Sequence, residues 1–236
     1  MHYIDKFVDF SEVRPDARIK LTKILDYYQD VVIRESASTS VGAKALRDRG
    51  ICWVLSSWQV VVNRYPMMDE KVLVGTAPYE FKGFMGSRNF MMKTEEGEIL
   101  SYANSLWSLV DIENMTLLRI PQDIIEAYVL EEKLDMEYAP RKIKLPDQML
   151  QGDPIIAAYH HIDINNHVNN AQYVAMAEDL APEGRSARQV RVEYRASAQY
   201  GDAITPYTYA DKENGIYTVS LANGEAKPYA IVEFTI

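Results

Sequence analysis

The chain has 236 residues, 47% of them hydrophobic and 25% charged, which is the composition of a folded globular protein with room for one large domain or two of about 100 to 120 residues. A net charge of -9 argues against a general nucleic-acid binder, and a single cysteine, Cys52, excludes an intrachain disulfide or a cysteine-based metal cage. Apolar runs such as Ile155–Tyr159 are far shorter than the roughly 20 residues that span a bilayer, and Met1–Asp5 has no signal-peptide regions, so no membrane span and a cytoplasmic location are expected.

In chain order, an apolar stretch from Tyr3 to Phe10 is followed by Pro15-Asp16 and a helical pattern that puts Ile19, Ile24, Leu25, Tyr28, Val31 and Val32 on one face, with Asp16 as the expected N-cap. Runs rich in Val, Tyr, Phe and Trp predict strands at Trp53–Tyr65, Val72–Tyr79, Arg88–Lys93 and Ile99–Val110, the last two joined by the Glu95–Glu98 turn. The order then repeats. Ile155–Ile162 reads as a strand, Asn170–Leu180 as a helix, and Gln189–Ala198, Ile204–Ala210, Ile216–Leu221 and Tyr229–Ile236 as strands, with a hairpin turn at Asn214-Gly215.

Strand, helix and a run of antiparallel strands, given twice, predict an α+β protein in which each of two curved antiparallel sheets wraps a central helix. The boundaries are drawn at residues 1–137 and 154–236. A linker over 138–153 is expected from its two prolines, glycine and mixed charge.

Three of the four histidines are His160, His161 and His167, and they share one segment with Asp163, Asn165 and Asn166. Asn-rich sequence without apolar alternation predicts a loop, here one that feeds the helix beginning near Asn169 or Asn170. Such a set suits hydrolysis of an activated acyl group. A histidine takes a proton near neutral pH, an Asn amide holds a developing oxyanion, and a carboxylate fixes the imidazole tautomer. His167, Asn165 and Asp163 fit these roles in that order. A metal site is the competing reading, but the spacing matches no ligand pattern, so neither metal nor cofactor is expected. Asn166, Asn169 and Asn170 read as turn and cap residues.

The segment Asp163-Ile-Asn165-Asn-His167-Val-Asn169-Asn170, with Tyr173 three positions on, resembles the D-x-N-x-H-V-N-N-x-x-Y signature of plant and bacterial acyl-(acyl carrier protein) thioesterases. Gly86–Phe90, Trp107–Asp111, Arg119–Pro121, Val192–Arg195 and Tyr200–Asp202 look like further motifs of that family in the same order. The resemblance implies a tandem (double) hotdog with one active site; the 154–236 half carries the candidate residues, and the longer, more apolar helix of the 1–137 half suits that half to shaping the acyl tunnel. It implies release of fatty acid in fatty acid biosynthesis, from acyl carrier protein bearing a phosphopantetheine-linked acyl chain. Asp163, Asn165 and His167 correspond to the family's catalytic residues.

One position departs from the pattern: aligned at Tyr194, the family's Glu is Ser197 here, followed by Ala198. Either Asp163 and His167 share the base chemistry while Ser197 orients the water, or Glu193 substitutes by way of a strand bulge. The stretch of the first half that corresponds to the reaction loop, Phe10–Asp16, has neither His nor Asn, and Tyr27, Tyr28 and Val31 are candidates for lining the tunnel. Docking of an acidic carrier protein falls to Arg185, Arg188 and Arg191, near Arg195, and to Arg141 and Lys142 with Lys144. Exposed sheet edges allow a homodimer. An acyl-CoA thioesterase, a hotdog hydratase and a non-catalytic acyl-thioester sensor stay open as alternatives.

Overall fold

The computed structural model describes residues 1–236, which divide into two compact units, Met1–Ala139 and Pro140–Ile236. In the first, β1 (His2–Phe7) and a 3-10 turn (Phe10–Glu12) lead to helix α1 (Leu21–Ala37) and a short α2 (Ala43–Asp48). Four long strands follow, β2 (Ile51–Val62), β3 (Lys71–Lys82), β4 (Met85–Lys93) and β5 (Ile99–Asp111), and then α3 (Gln122–Glu126). The strands pair in the order β1-β3-β4-β5-β2, all antiparallel. Hairpin turns fall where Gly83 and Gly97 take φ of +63° and +95°, a conformation that a side chain would strain.

The helix α1 buries Leu21, Ile24, Leu25, Tyr27, Tyr28, Val31 and Val32, the three-and-four spacing that gives one apolar face. The Tyr28 ring lies 5.0 Å from Phe90, which lies 4.8 Å from Trp58. Burying a phenol without a partner costs several kcal/mol, and here its hydroxyl sits 2.6 Å from the Ser101 Oγ. The helix starts later than the sequence reading placed it. Lys20 is the N-cap residue, and Asp16 instead receives the Arg18 N–H inside a turn in which Ala17 takes φ of +62°.

The segment read as a linker is bound at its start by side chains of the first unit. Asn89 accepts the Leu134 N–H, and Gln59 donates to the Glu137 carbonyl and accepts the Ala139 N–H. These bonds explain why the first unit runs to Ala139.

The second unit contains β6 (Leu150–Gln151), β7 (Ile155–Ile156), a 3-10 turn (Tyr159–His161), α4 (Asn170–Leu180), another 3-10 turn (Pro182–Ser186), and strands β8 (Gln189–Tyr194), β9 (Ala203–Asp211), β10 (Ile216–Ala222) and β11 (Pro228–Thr235). Its antiparallel order is β8-β11-β10-β9, with β6 and β7 both on β9. The buried side of α4, with Ala171, Tyr173, Val174, Met176 and Ala177, faces β10 and β11. No helix is long and apolar enough to cross a membrane.

Two strands are shorter than their sequence patterns predict. The run Ile155–Ile162 pairs with β9 only at Ile155 and Ile156, because His161 closes a 3-10 turn by accepting the Ala158 N–H. The strand expected over Gln189–Ala198 ends at Tyr194, since Arg195 and Ala196 both donate to the one carbonyl of Tyr229, and this irregularity turns the chain off the ladder.

Candidate active site

The residues singled out in the sequence lie on the connection between the Tyr159–His161 turn and α4. An isolated antiparallel bridge between Ile162 and Val168 closes the connection into a tight loop. Inside it, Asp163 N–H donates to the His167 carbonyl at 2.8 Å and Asn166 N–H to the Asp163 carbonyl at 3.1 Å, with Asn166 at φ of +61°. Asn tolerates that left-handed conformation better than most residues, which is why an Asn-rich stretch folds this way.

The Asp163 carboxylate is spent on the loop itself. Its Oδ1 accepts the N–H of Asn165 at 2.8 Å and that of His167 at 3.4 Å, and its Oδ2 accepts the Asn165 amide at 3.3 Å. The expected carboxylate contact to the His167 imidazole is therefore replaced by contacts to backbone N–H groups. Asp163 shapes the turn on which Asn165 and His167 stand. Asn165 is exposed and His167 half-buried.

Behind the loop, Asn169 caps α4 by accepting the Ala171 N–H at 2.8 Å, as the sequence pattern implies. The loop is clamped from outside by Ala198, whose carbonyl accepts the Val168 N–H at 2.8 Å and whose N–H donates to the Tyr173 hydroxyl at 2.8 Å. Burial pushes the Tyr173 phenol up to about 12, so it stays a neutral hydroxyl at physiological pH. Tyr194 adds a second tie, its hydroxyl donating to the Asn170 carbonyl at 3.0 Å. Sequence reasoning assigned no role to either tyrosine. The signal available was the place of Tyr173 in the signature.

Ser197 is exposed and sits one residue before the Ala198 clamp. Glu193 does not take over the missing carboxylate. It is 3% exposed, and its Oε2 accepts the Ile143 N–H at 2.9 Å and the Arg195 guanidinium at 3.2 Å. Burial alone would raise its pKa, but the bonds from Arg195 and Ile143 outweigh this and leave it lowered. The strand irregularity lies beyond Tyr194, too late to turn Glu193.

The arginines of the second unit are divided between structure and surface. Arg191 pairs with Glu233 at 2.7 Å and donates to the Pro140 and Lys142 carbonyls at 2.6 and 3.3 Å, which brings the two basic stretches together. Arg185 pairs with Asp179, and Arg188 donates to the Ile236 carbonyl. Arg141 and Lys142 have exposed side chains. His160 is exposed, and its ring centroid lies 4.1 Å from that of His161.

The first unit repeats this loop residue for residue. Phe10–Glu12 matches Tyr159–His161, the Val13–Ile19 bridge matches Ile162–Val168, Ala17 at φ of +62° matches Asn166, and Ile19 N–H donates to the Pro66 carbonyl as Val168 N–H does to that of Ala198. Where the second unit has Asp163, Asn165 and His167, the first has Arg14, Asp16 and Arg18, joined as ion pairs at 3.3 and 3.1 Å.

Residues 3–128 match the family model for the acyl-ACP thioesterase N-terminal domain, and residues 150–235 the one for the acyl-ACP thioesterase C-terminal domain. Among relatives, the chloroplastic palmitoyl-acyl carrier protein thioesterase of Cuphea hookeriana is 28% identical over 183 residues, 72% of this chain and 43% of that protein. The dodecanoyl-[acyl-carrier-protein] hydrolase of Umbellularia californica is 24% identical over 206 residues, 78% and 53% of the two chains. This chain thus spans about half the length of the relatives that it matches. Among solved structures, an acyl-ACP thioesterase from Bacteroides thetaiotaomicron superposes with a TM-score of 0.88 at 20% identity, over 99% of this chain and 96% of the other. The 12:0-ACP thioesterase from Umbellularia californica gives 0.85 at 19%, over 99% and 95%. These two likenesses establish the tandem hotdog fold, and the two family models, which between them take in both units, establish more: the chain belongs to the acyl-ACP thioesterase family.

Proposed function

We propose that this protein hydrolyses the thioester that joins a fatty-acyl chain to acyl carrier protein, releasing the free fatty acid, and that the Asp163–His167 loop is its reaction centre. One observation carries the assignment of the centre. The same loop backbone occurs twice in the chain, and only the second copy presents an imidazole and a carboxamide, on His167 and Asn165, where the first presents Arg18 and Asp16.

In this reading His167 takes a proton from water as the water oxygen attacks the thioester carbonyl. The Asn165 amide donates to the oxyanion that forms, and the C–S bond then breaks as His167 returns the proton to the leaving thiolate. Asp163 keeps the two side chains in register by holding the Asn165 and His167 N–H groups. Ser197, at the family's Glu position, orients the water beside the Ala198 clamp. Arg141, Lys142, Arg185 and Arg188 supply local positive charge for an acidic carrier protein, while Arg191 holds the Pro140–Lys142 stretch that carries part of that charge. The proposal includes a cytoplasmic site of action in fatty acid biosynthesis, which fractionation alongside acyl carrier protein checks.

The test is hydrolysis by purified protein of matched acyl-ACP and acyl-CoA panels. Higher kcat/KM on acyl-ACP, lost in His167→Ala, is the expected result. A preference for acyl-CoA overturns the carrier assignment, and no hydrolysis of either panel overturns the enzymatic reading.

A further inference from the structure

The loop is secured at both ends by one residue that takes no part in the chemistry above. At the near end, Nδ1 of the half-buried His161 accepts the Ala158 N–H at 2.9 Å and closes the 3-10 turn. At the far end, the His161 carbonyl accepts the N–H of Asn169, the cap of α4, at 2.8 Å. The first unit shows what the position is for. There Glu12 occupies it, its Oε2 accepting the Asp9 N–H at 3.0 Å and its carbonyl the Lys20 N–H at 2.9 Å.

A carboxylate and an imidazole perform this task under different conditions. A carboxyl group keeps lone pairs to accept with in either protonation state, whereas an imidazole accepts through Nδ1 only while that nitrogen carries no proton. The ionisable neighbour at the His161 ring is His160 on the same turn, with Asp163 and His167 further along the loop. Burial, and after it the charge of His160, lowers the His161 pKa from the ordinary 6.5. Because the value in the folded protein is depressed, the anchor is fully present above about pH 6.5 and is lost as pH falls through the lowered value.

We propose that neutral His161 is a positioning residue for the reaction loop, and that its protonation frees the Ala158 N–H, loosens the loop and lowers turnover in acid. This rests on the loop being the reaction centre. Any other acid-sensitive step of the reaction shows in the wild-type profile as well, so the role of His161 is isolated by substitution rather than by that profile alone.

His161→Gln retains an acceptor that does not titrate, His161→Glu copies the first unit, and His161→Ala has no acceptor. With dodecanoyl-ACP as substrate, His161→Ala should lose about 10- to 100-fold in kcat through misplacement of the loop, with KM changed much less. His161→Gln and His161→Glu should recover most of that loss, and the kcat profile of His161→Gln should show one acid ionisation fewer than that of the wild type. Wild-type kcat in a folded His161→Ala, or equal numbers of acid ionisations in wild type and His161→Gln, would overturn the proposal. Nitrogen-15 NMR of the wild-type imidazole gives a readout independent of activity and of whether His161→Ala folds. The expected result is an Nε2–H tautomer whose titration moves the amides of Ala158 and Asn165 to His167. An Nδ1–H tautomer, or loop amides indifferent to that titration, sinks the idea even in an active enzyme. If the wild type hydrolyses no thioester, the functional reading fails while the NMR titration still decides the role of His161.

Discussion

The two turn-to-helix loops share a backbone and differ in what their side chains are used for. In the first, Asp16 pairs with both Arg14 and Arg18, Glu12 holds the Asp9 N–H, and the N-cap residue Lys20 makes no side-chain cap bond. In the second, Asp163, at the position of Arg14, accepts the Asn165 and His167 N–H groups and the Asn165 side-chain amide, and Asn169 caps the helix. The comparison teaches that the loop is first a way of entering a helix. Three alternate positions carry different side chains in the two copies, Arg14, Asp16 and Arg18 against Asp163, Asn165 and His167, on the same backbone bridge.

The largest effect that could break this comparison comes from the imidazole. His167→Ala should lower kcat by about 10²- to 10⁴-fold, the usual worth of a general base, whereas Arg18→Ala at the matching position should leave kcat near wild type. Comparable losses in both would mean that the first loop also serves the reaction. Next comes the clamp. In Tyr173→Phe the buried Ala198 N–H loses its acceptor, so chemical denaturation should show a loss of about 1–3 kcal/mol, and an unchanged midpoint would show that the Ala198 clamp does not need the hydroxyl.

A smaller contrast lies at the helix caps. Asn169→Ala should cost about 1 kcal/mol, while Lys20→Asn should stabilise the first unit by a similar or lesser amount, because it introduces the side-chain cap that α1 lacks. Smallest of all is the exposed ion pair of the first loop. The Asp16 carboxyl experiences some burial, which raises its pKa, but the Arg18 N–H and the two guanidinium groups more than offset this and lower it. Its contribution is therefore present above the ordinary carboxylate range and fades as pH falls through the depressed value. Arg18→Ala should change stability at neutral pH by no more than about 1 kcal/mol, measured by the same denaturation.

Much of this was legible in the residues. The apolar spacing of α1, the run Asn170–Leu180, the strand-rich stretches and the Asp163–His167 cluster each signal themselves locally, because periodicity and turn chemistry act over a few positions. The start of α1 was misread at Asp16 because a turn and a cap draw on the same residue types, and the backbone at Ala17 favours the turn. The end of β8 was misread because apolar alternation does not reveal that Arg195 and Ala196 share one acceptor.

By itself, then, the sequence determined the α+β class, the two-unit plan and the loop on which the candidate chemistry stands, all through short-range patterns. Only the tertiary structure decided how the groups are used. It assigned the Asp163 carboxylate to backbone N–H groups, committed Glu193 to Ile143 and Arg195, and spent Arg191 on Glu233 and the Pro140 carbonyl. It also made Ala198 a clamp and His161 an anchor. Several of these pairings span tens of residues, so they are absent from any local pattern. They arise because buried polar groups must find partners in whichever segments the fold brings within reach.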